Sequence, residues 1–174
     1  MKKLVLNLYI LLFLISSCSE PSVEKHTTTG DSLKIVQMLD QFNEAAADAD
    51  FNNYFNFFTE DAVFIGTDAT ENWTKQNFMT WAKPHFDKKK TWHFTSIDRH
   101  IYFSKTADLA WFDELLNTQM KIRRGSGVLL KQNNEWKIQQ YVLSMTIPNP
   151  LSDTVVKIKA PIEDELIEKL GNRN

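Results

Sequence analysis

The sequence predicts an α+β domain in which a curved antiparallel sheet wraps on about three N-terminal helices. Two observations predict this class. Apolar residues follow helical spacing in the first part of the domain, whereas residues 92–147 are rich in aromatic and β-branched residues and are divided by turn signals. Helices followed by a run of strands are typical of an α+β order. A sheet curved around the first helix would leave a cone with an apolar pocket.

The composition of the chain is that of a protein with a packed core. The chain has 174 residues, 12% of them aromatic, and 20 basic against 22 acidic side chains. A net charge of -2 gives no electrostatic reason to expect nucleic acid as a partner.

Residues 1–17 predict a bacterial lipoprotein signal peptide. A lysine pair is followed by a short apolar run and by small residues immediately before Cys18. This order resembles a lipobox and predicts lipidation of Cys18, which would anchor the protein to a membrane of the bacterial cell envelope; Glu20 is compatible with the outer membrane. The alternative is an ordinary secretory signal with an incidental cysteine. Residues 18–31 are polar and predict a flexible tether.

The first two helices are predicted from apolar stripes. Asp31 or Ser32 can cap the first helix, which covers residues 32–49. A shorter helix follows Asp50 and places Tyr54 on a buried face, where its hydroxyl needs a partner. The stripe of the first helix consists of Ile35, Met38, Leu39, Phe42, Ala45, Ala46 and Ala49.

A strand, a polar loop and a third helix come next. Residues 62–65 predict a strand, and the loop after it carries Asp68 and Glu71. Thr74 is suited to cap the third helix, and Pro84 predicts its end or a kink.

The remaining strands are predicted at residues 92–103, 109–118, 121–131 and 136–147, with a hairpin turn at 132–135. The domain therefore covers residues 32–147. The tail, residues 148–174, contains apolar residues at helical spacing near its end and is compatible with short helices.

Two segments carry a resemblance to a known family. FNEAAADADFNNYFNFFTEDAVFIG and GVLLKQNNEWKIQQYVLS resemble the opening and the closing hairpin of the nuclear transport factor 2-like superfamily, in its SnoaL-like and ketosteroid-isomerase-like branches. The resemblance implies a cone-shaped α+β barrel with one deep pocket, and homodimers that form through the sheet. The fold alone implies no activity, because it hosts isomerases, cyclases, dehydratases and non-catalytic binders.

The catalytic residues of these branches are absent from the matching positions. The isomerase's oxyanion tyrosine falls on Phe42, and its general-base aspartate falls on Gly66, although an offset of a few residues would bring Asp68 into that place. The histidines of many SnoaL-like domains fall on Gln140 and Val142, and glutamine cannot act as a base near neutral pH. Ketosteroid-isomerase chemistry is therefore not expected.

Asp113 is the carboxylate predicted to lie nearest the pocket. It shares a strand face with Trp111 and Leu115, and Arg124 on the next strand is its natural partner. The alternative is that this face meets water and that Glu114 is buried instead. The residues predicted to line the pocket are Tyr54, Trp73, Trp111, Asp113, Arg124, Gln140 and Ser144, with Asp68 and Glu71 at its rim.

The sequence therefore predicts a lipid-anchored pocket domain that binds a small apolar or amphipathic molecule without acid–base catalysis. Two alternatives stay open: a dehydratase, cyclase or isomerase that uses Asp113 with Arg124 or Tyr54, and an envelope module that binds a protein partner through its sheet. The spacing of the histidines and the single cysteine predict no metal site. We expect no cofactor and assign no catalytic residue.

Overall fold

The computed structural model describes residues 28–172 and confirms the predicted α+β class. Six strands form one sheet in the order β2-β1-β6-β5-β4-β3. Neighbouring strands are antiparallel except β1 and β6, which are parallel. The strands are β1 (Phe58–Ile65), β2 (Asn72–Thr74), β3 (Phe94–Phe103), β4 (Leu109–Thr118), β5 (Arg123–Gln132) and β6 (Glu135–Met145).

Three helices precede the long strands, as predicted. They are α1 (Thr28–Ala47), α2 (Phe51–Asn56) and α3 (Lys75–Asp87). The Asp50 side chain caps α2 by accepting a hydrogen bond from the Asn53 N–H, and Thr74 caps α3 by accepting one from the Asn77 N–H. Pro84 does not end α3, because the helix continues for three residues beyond it.

The apolar stripe of α1 packs against the concave face of the sheet. Six of its seven predicted residues, Ile35 to Ala46, are buried, and Ala49 lies past the end of the helix with a positive φ of 56°. The helix begins at Thr28, so residues 28–31 are helical instead of belonging to the tether. Asp31 is not a cap: its carboxylate accepts a hydrogen bond from Lys131 Nζ at 2.8 Å and holds the start of α1 to β5.

A β-bulge in β6 determines which of its side chains face the core. Ile138 pairs with Leu129, but the next paired residue, Gln140, is opposite Val128, so β6 has one extra residue there. Side chains alternate along a strand, and an extra residue reverses the faces beyond it. Tyr141 and Leu143 therefore point to the core, which the regular alternation from Trp136 would not predict.

The C-terminal tail forms a single-turn 3-10 helix and then one 20-residue helix, α4 (Ser152–Gly171), in place of the short helices predicted. No side chain of α4 is buried. None of the helices in the described range has the length and apolar character that crossing a membrane requires. The predicted signal peptide, Cys18 and the tether up to residue 27 lie outside the described residues.

Candidate functional site

A cavity of about 200 Å³ lies between α3, the β1–β2 hairpin and the concave face of the sheet. Aromatic rings form most of its lining. Its aromatic residues are Phe42, Tyr54, Phe64, Trp73, Phe78, Trp81, Trp92, Phe94 and Tyr141. Its other residues are Gly66, Thr67, Glu71, Gln119, Met120 and Leu143.

Three tryptophans lie close together on one side of the cavity. The rings of Trp73 and Trp81 are 5.0 Å apart with 26° between their planes, and Trp81 is 6.3 Å from Trp92. Trp81 is 42% exposed, which places it at the mouth, while Trp73 and Trp92 are half-buried. Exposed tryptophan faces beside a cavity are typical of surfaces that bind an apolar or aromatic group.

Glu71 lies over Gly66 at the end of the β1–β2 hairpin. The Gly66 N–H donates to the Glu71 carbonyl at 2.9 Å, which brings the two residues side by side. A Cβ at position 66 would meet Glu71 Oε2 at 2.1 Å, so the carboxylate occupies the space that a side chain on residue 66 would need. Gly66 does not have a positive φ, and its role here is to leave that space empty. The Asp68 N–H donates to the same oxygen at 3.2 Å.

Both cavity tyrosines are buried, and the hydroxyl of Tyr141 is hydrogen-bonded. Burial raises the pKa of Tyr54 well above its usual value, although the neighbouring Trp92 indole, whose ring lies 5.6 Å from that of Tyr54, opposes the shift. The Tyr141 hydroxyl donates to Glu114 Oε1 at 3.5 Å. Burial, with a smaller contribution from the Glu114 charge, raises the pKa of Tyr141 well above its usual value as well. Both phenols are therefore neutral and weakly acidic.

Glu114 and Arg99 form a buried ion pair behind Tyr141. Arg99 Nε and Nη2 lie 2.9 and 2.7 Å from Glu114 Oε2, and Arg99 Nη1 reaches Asp40 at 2.9 Å and the Val36 carbonyl at 3.2 Å. Burial raises the pKa of Glu114 although the Arg99 guanidinium opposes that shift. The pair joins α1, β3 and β4 and fixes the floor on which the Tyr141 ring lies.

Of the residues predicted at the site, Tyr54, Trp73 and Glu71 line the cavity. The prediction for Asp113 is wrong, because β4 turns Phe112 and Glu114 to the core and Asp113 to the outer face. There Asp113 lies 3.5 Å from His100 Nδ1 across the β3–β4 pair. Both faces of β4 carry large apolar residues, and alternation alone does not tell which face is buried.

Five more predicted residues lie away from the cavity. Trp111 is on the outer face, 44% exposed and stacked on Tyr102, and Arg124 is exposed there and forms no ion pair with Asp113. The bulge in β6 turns Gln140 and Ser144 outward for the reason given above. Asp68 is exposed, and its Oδ1 accepts hydrogen bonds from Thr70 within the loop.

Sequence reasoning missed Tyr141 and Trp81 as cavity residues, and Trp92 lines the cavity as well. Trp81 follows Phe78 at helical spacing, a signal that places it on the same helix face but does not show that it borders a cavity. Tyr141 is found only once the bulge is known. In the described part of the chain no group of three or more His, Cys, Asp and Glu side chains is arranged to hold a metal ion.

A family model described as a SnoaL-like domain matches residues 35–148. No curated protein matches the chain. Among solved structures, a proposed dehydratase of the NTF2-like family from Streptomyces avermitilis superposes with a TM-score of 0.61 at 13% identity, over 70% of this chain and 100% of that one. A domain of unknown function from Nostoc punctiforme gives 0.61 at 15% identity, over 84% and 98%. A proposed aromatic ring hydroxylase from Novosphingobium aromaticivorans gives 0.60 at 15%, over 69% and 92%. At these identities the likeness shows the fold alone.

Proposed function

The chain belongs to the SnoaL-like domain family, and we propose that its cavity binds a small apolar or amphipathic molecule. The fold of the family serves both ligand binders and small-molecule enzymes. The observation that carries the proposal is the lining, which is mostly apolar: three tryptophans and six further aromatic residues surround the cavity. Its volume of about 200 Å³ is below the roughly 300–1,000 Å³ of drug-sized pockets, which favours a ligand of about one ring.

Tryptophan fluorescence tests this proposal directly. Small aromatic and cyclic aliphatic compounds that enter the cavity should change the emission of Trp81 and raise the melting temperature. Trp81→Phe should lose most of the signal, whereas Trp111→Phe should keep it. The two tryptophans are matched, at 42% and 44% exposed, but Trp111 lies on the outer face. An equal loss in both variants, or no stabilisation by any compound, would contradict a ligand-binding cavity.

A proton-transfer enzyme is the second candidate, and the position of Glu71 favours it. The alternative that relied on Asp113 and Arg124 loses both residues, since they lie on the outer face. Glu71 is a carboxylate beside the cavity and meets the geometric need for a general base. Small ketones should then exchange their α-hydrogens for deuterium faster with the protein than with Glu71→Gln. Equal rates would reject this candidate.

Three further assignments remain our proposals. Cys18 carries a lipid anchor in the bacterial envelope, which labelling with a radioactive fatty acid and the Cys18→Ser variant would test. The outer sheet face forms a homodimer or binds a protein partner; Tyr102 and Trp111 are each 44% exposed there and stack at 5.8 Å. Sedimentation of Trp111→Glu against the unmodified protein tests whether that face mediates self-association.

A further inference from the structure

We propose that the ligand of this cavity is an organic cation, a tertiary or quaternary ammonium group on a small apolar body. The inference rests on the proposed binding function and adds the charge of the ligand. Three observations carry it: the charge of the lining, the tryptophan faces and the small number of free hydrogen-bonding groups.

The lining carries one charged side chain, and it is acidic. Glu71 is the only Asp, Glu, Lys, Arg or His among the described residues that line the cavity. Within residues 28–172 no basic nitrogen lies within 4.0 Å of its carboxylate. A half-buried carboxylate without a cationic partner beside an apolar cavity attracts a positive ligand and repels a negative one.

The tryptophan faces favour the same charge. An indole face carries negative electrostatic potential and attracts a cation within about 6 Å of the ring centre. The described part of the chain contains two lysine–aromatic contacts, Lys83 on Phe51 and Lys131 on Trp136. Neither contact involves Trp73, Trp81 or Trp92, so no described lysine occupies those three rings, although the His85 ring lies against Trp81 with 4.8 Å between the ring centres.

The polar groups of the cavity suit a cation that donates at most one hydrogen bond. The Tyr141 hydroxyl already donates to Glu114, and Gln119 Oε1 accepts from the His93 N–H at 3.5 Å, so the Glu71 carboxylate is the strongest acceptor that the cavity offers. A carboxylate would lose strong hydrogen bonds to water and find few donors here, and a primary ammonium would find one strong acceptor, Glu71, for its three N–H groups. A quaternary ammonium is weakly hydrated and loses much less. A cavity of about 200 Å³ accommodates such a group with a single ring, because one of about 150 Å³ already holds benzene.

A basic surface near the cavity is the main argument that the ligand is an anion. Lys121, Arg123 and Arg124 border a separate depression, which shares Met120 with the cavity. An anionic ligand reaching past Met120 could meet them. None of the three lines the aromatic cavity itself, and the test therefore includes an anion.

The experiment compares three probes that share a benzyl group. They are benzyltrimethylammonium, its neutral isostere neopentylbenzene, and benzylsulfonate, titrated by calorimetry and by tryptophan emission. We expect the cation to bind at least about fivefold more tightly than the neutral probe, and the anion to bind most weakly. Glu71→Gln should weaken the cation about fivefold or more and leave the neutral probe unchanged.

Gly66→Ala keeps the charge of Glu71 and changes only its position. The added Cβ would meet Glu71 Oε2 at 2.1 Å and Cδ at 2.9 Å, atoms that can swing away, and Glu71 Cβ at 3.0 Å, which needs a shift of a few tenths of an ångström. Cation affinity should fall by a similar factor to that in Glu71→Gln, whereas Trp111→Phe should bind as the unmodified protein does. Unchanged cation binding in Gly66→Ala would overturn the assignment of the carboxylate over Gly66.

The outcomes separate this inference from the proposed function. If neopentylbenzene binds as tightly as the cation, or benzylsulfonate binds most tightly, the organic-cation inference is overturned and a small-molecule cavity stands. If none of the three binds at millimolar concentration, both proposals are contradicted.

Discussion

Gly125→Ala tests whether the floor of the cavity is set by close contact between β5 and Tyr141. A Cβ at position 125 would lie 2.5 Å from the Tyr141 hydroxyl, where ordinary contact begins at 3.4 Å. The hydroxyl must then move by the difference, about 0.9 Å. Tyr141 is 1% exposed and cannot move into water. Overpacking of this kind in a close-packed core costs about 1–3 kcal/mol of unfolding free energy.

Tyr141→Phe removes the atom that the new methyl group would meet. Alone it should cost about 1 kcal/mol or less, since the hydrogen bond it deletes is long, at 3.5 Å. In that background Gly125→Ala leaves Glu114 Cγ at 3.1 Å and Oε1 at 3.2 Å, contacts that need shifts of only a few tenths of an ångström. In that background the cost of Gly125→Ala should fall below about 1 kcal/mol. If the same substitution costs about 2 kcal/mol with Tyr141 in place, the double-mutant coupling is about 1 kcal/mol or more.

Urea denaturation of the four proteins measures the cycle, and Gly127→Ala is the matched control. A Cβ there would meet the Gln140 carbonyl oxygen at 2.3 Å, a backbone atom that Tyr141→Phe does not relieve. Gly127→Ala should therefore be as damaging in either background. If Gly125→Ala costs the same with Tyr141 and with Phe at 141, the steric explanation for this glycine is refuted.

Three further predictions concern the core and the outer face. Phe78→Ala should cost about 3–5 kcal/mol in urea denaturation, because Phe78 is 1% exposed and stacks on Phe64 at 3.9 Å. Asp113→Asn should change stability by less than about 0.5 kcal/mol and leave ligand binding intact, since its contact with His100 is on the half-exposed outer face. The pKa of Glu114 is raised in the folded protein, so the folded state binds more protons than the unfolded state, and stability falls as pH rises above the unfolded pKa of about 4.3. Melting curves measured across this pH range should show the loss of stability. The Glu114→Gln variant should not show the part of the pH dependence that Glu114 causes.

Regular spacing of apolar residues predicted where the elements begin and end. The stripe of α1 from Ile35 to Ala46 is buried as expected, and β4 spans Leu109–Thr118, the bounds read from the sequence. Thr74 caps α3 because its side-chain oxygen accepts a hydrogen bond from an N–H at the helix start that has no partner within the helix. This effect is local and can be predicted without tertiary information. Local patterns of this kind are sufficient to predict the scaffold.

The faces of β4 and β6 required information that no local pattern contains. On β4, Trp111 and Leu115 on one face are as apolar as Phe112 and Leu116 on the other, so the buried face is decided by what α1 packs against. On β6, one extra residue after Ile138 reversed every later side chain. These two effects moved Asp113, Gln140 and Ser144 out of the site, and the bulge brought Tyr141 into it.

The isomerase's aspartate is absent from position 66, yet a carboxylate still borders the cavity, because Glu71 lies beside that position. A residue type that is absent from one sequence position is therefore weak evidence that its chemical group is absent from the site. Gly66 occupies the position of the isomerase's base, and the sequence therefore indicated that no general base follows the first strand. The antiparallel pairing of Ile65 with Asn72 sets residues 66 and 71 beside each other, and the lack of a side chain at 66 admits the carboxylate of Glu71. A larger residue at 66 would exclude it, so the glycine and the glutamate act as one unit. A binding or catalytic role for this carboxylate therefore depends on both residues, and Gly66→Ala should affect function as strongly as Glu71→Gln while leaving the fold intact.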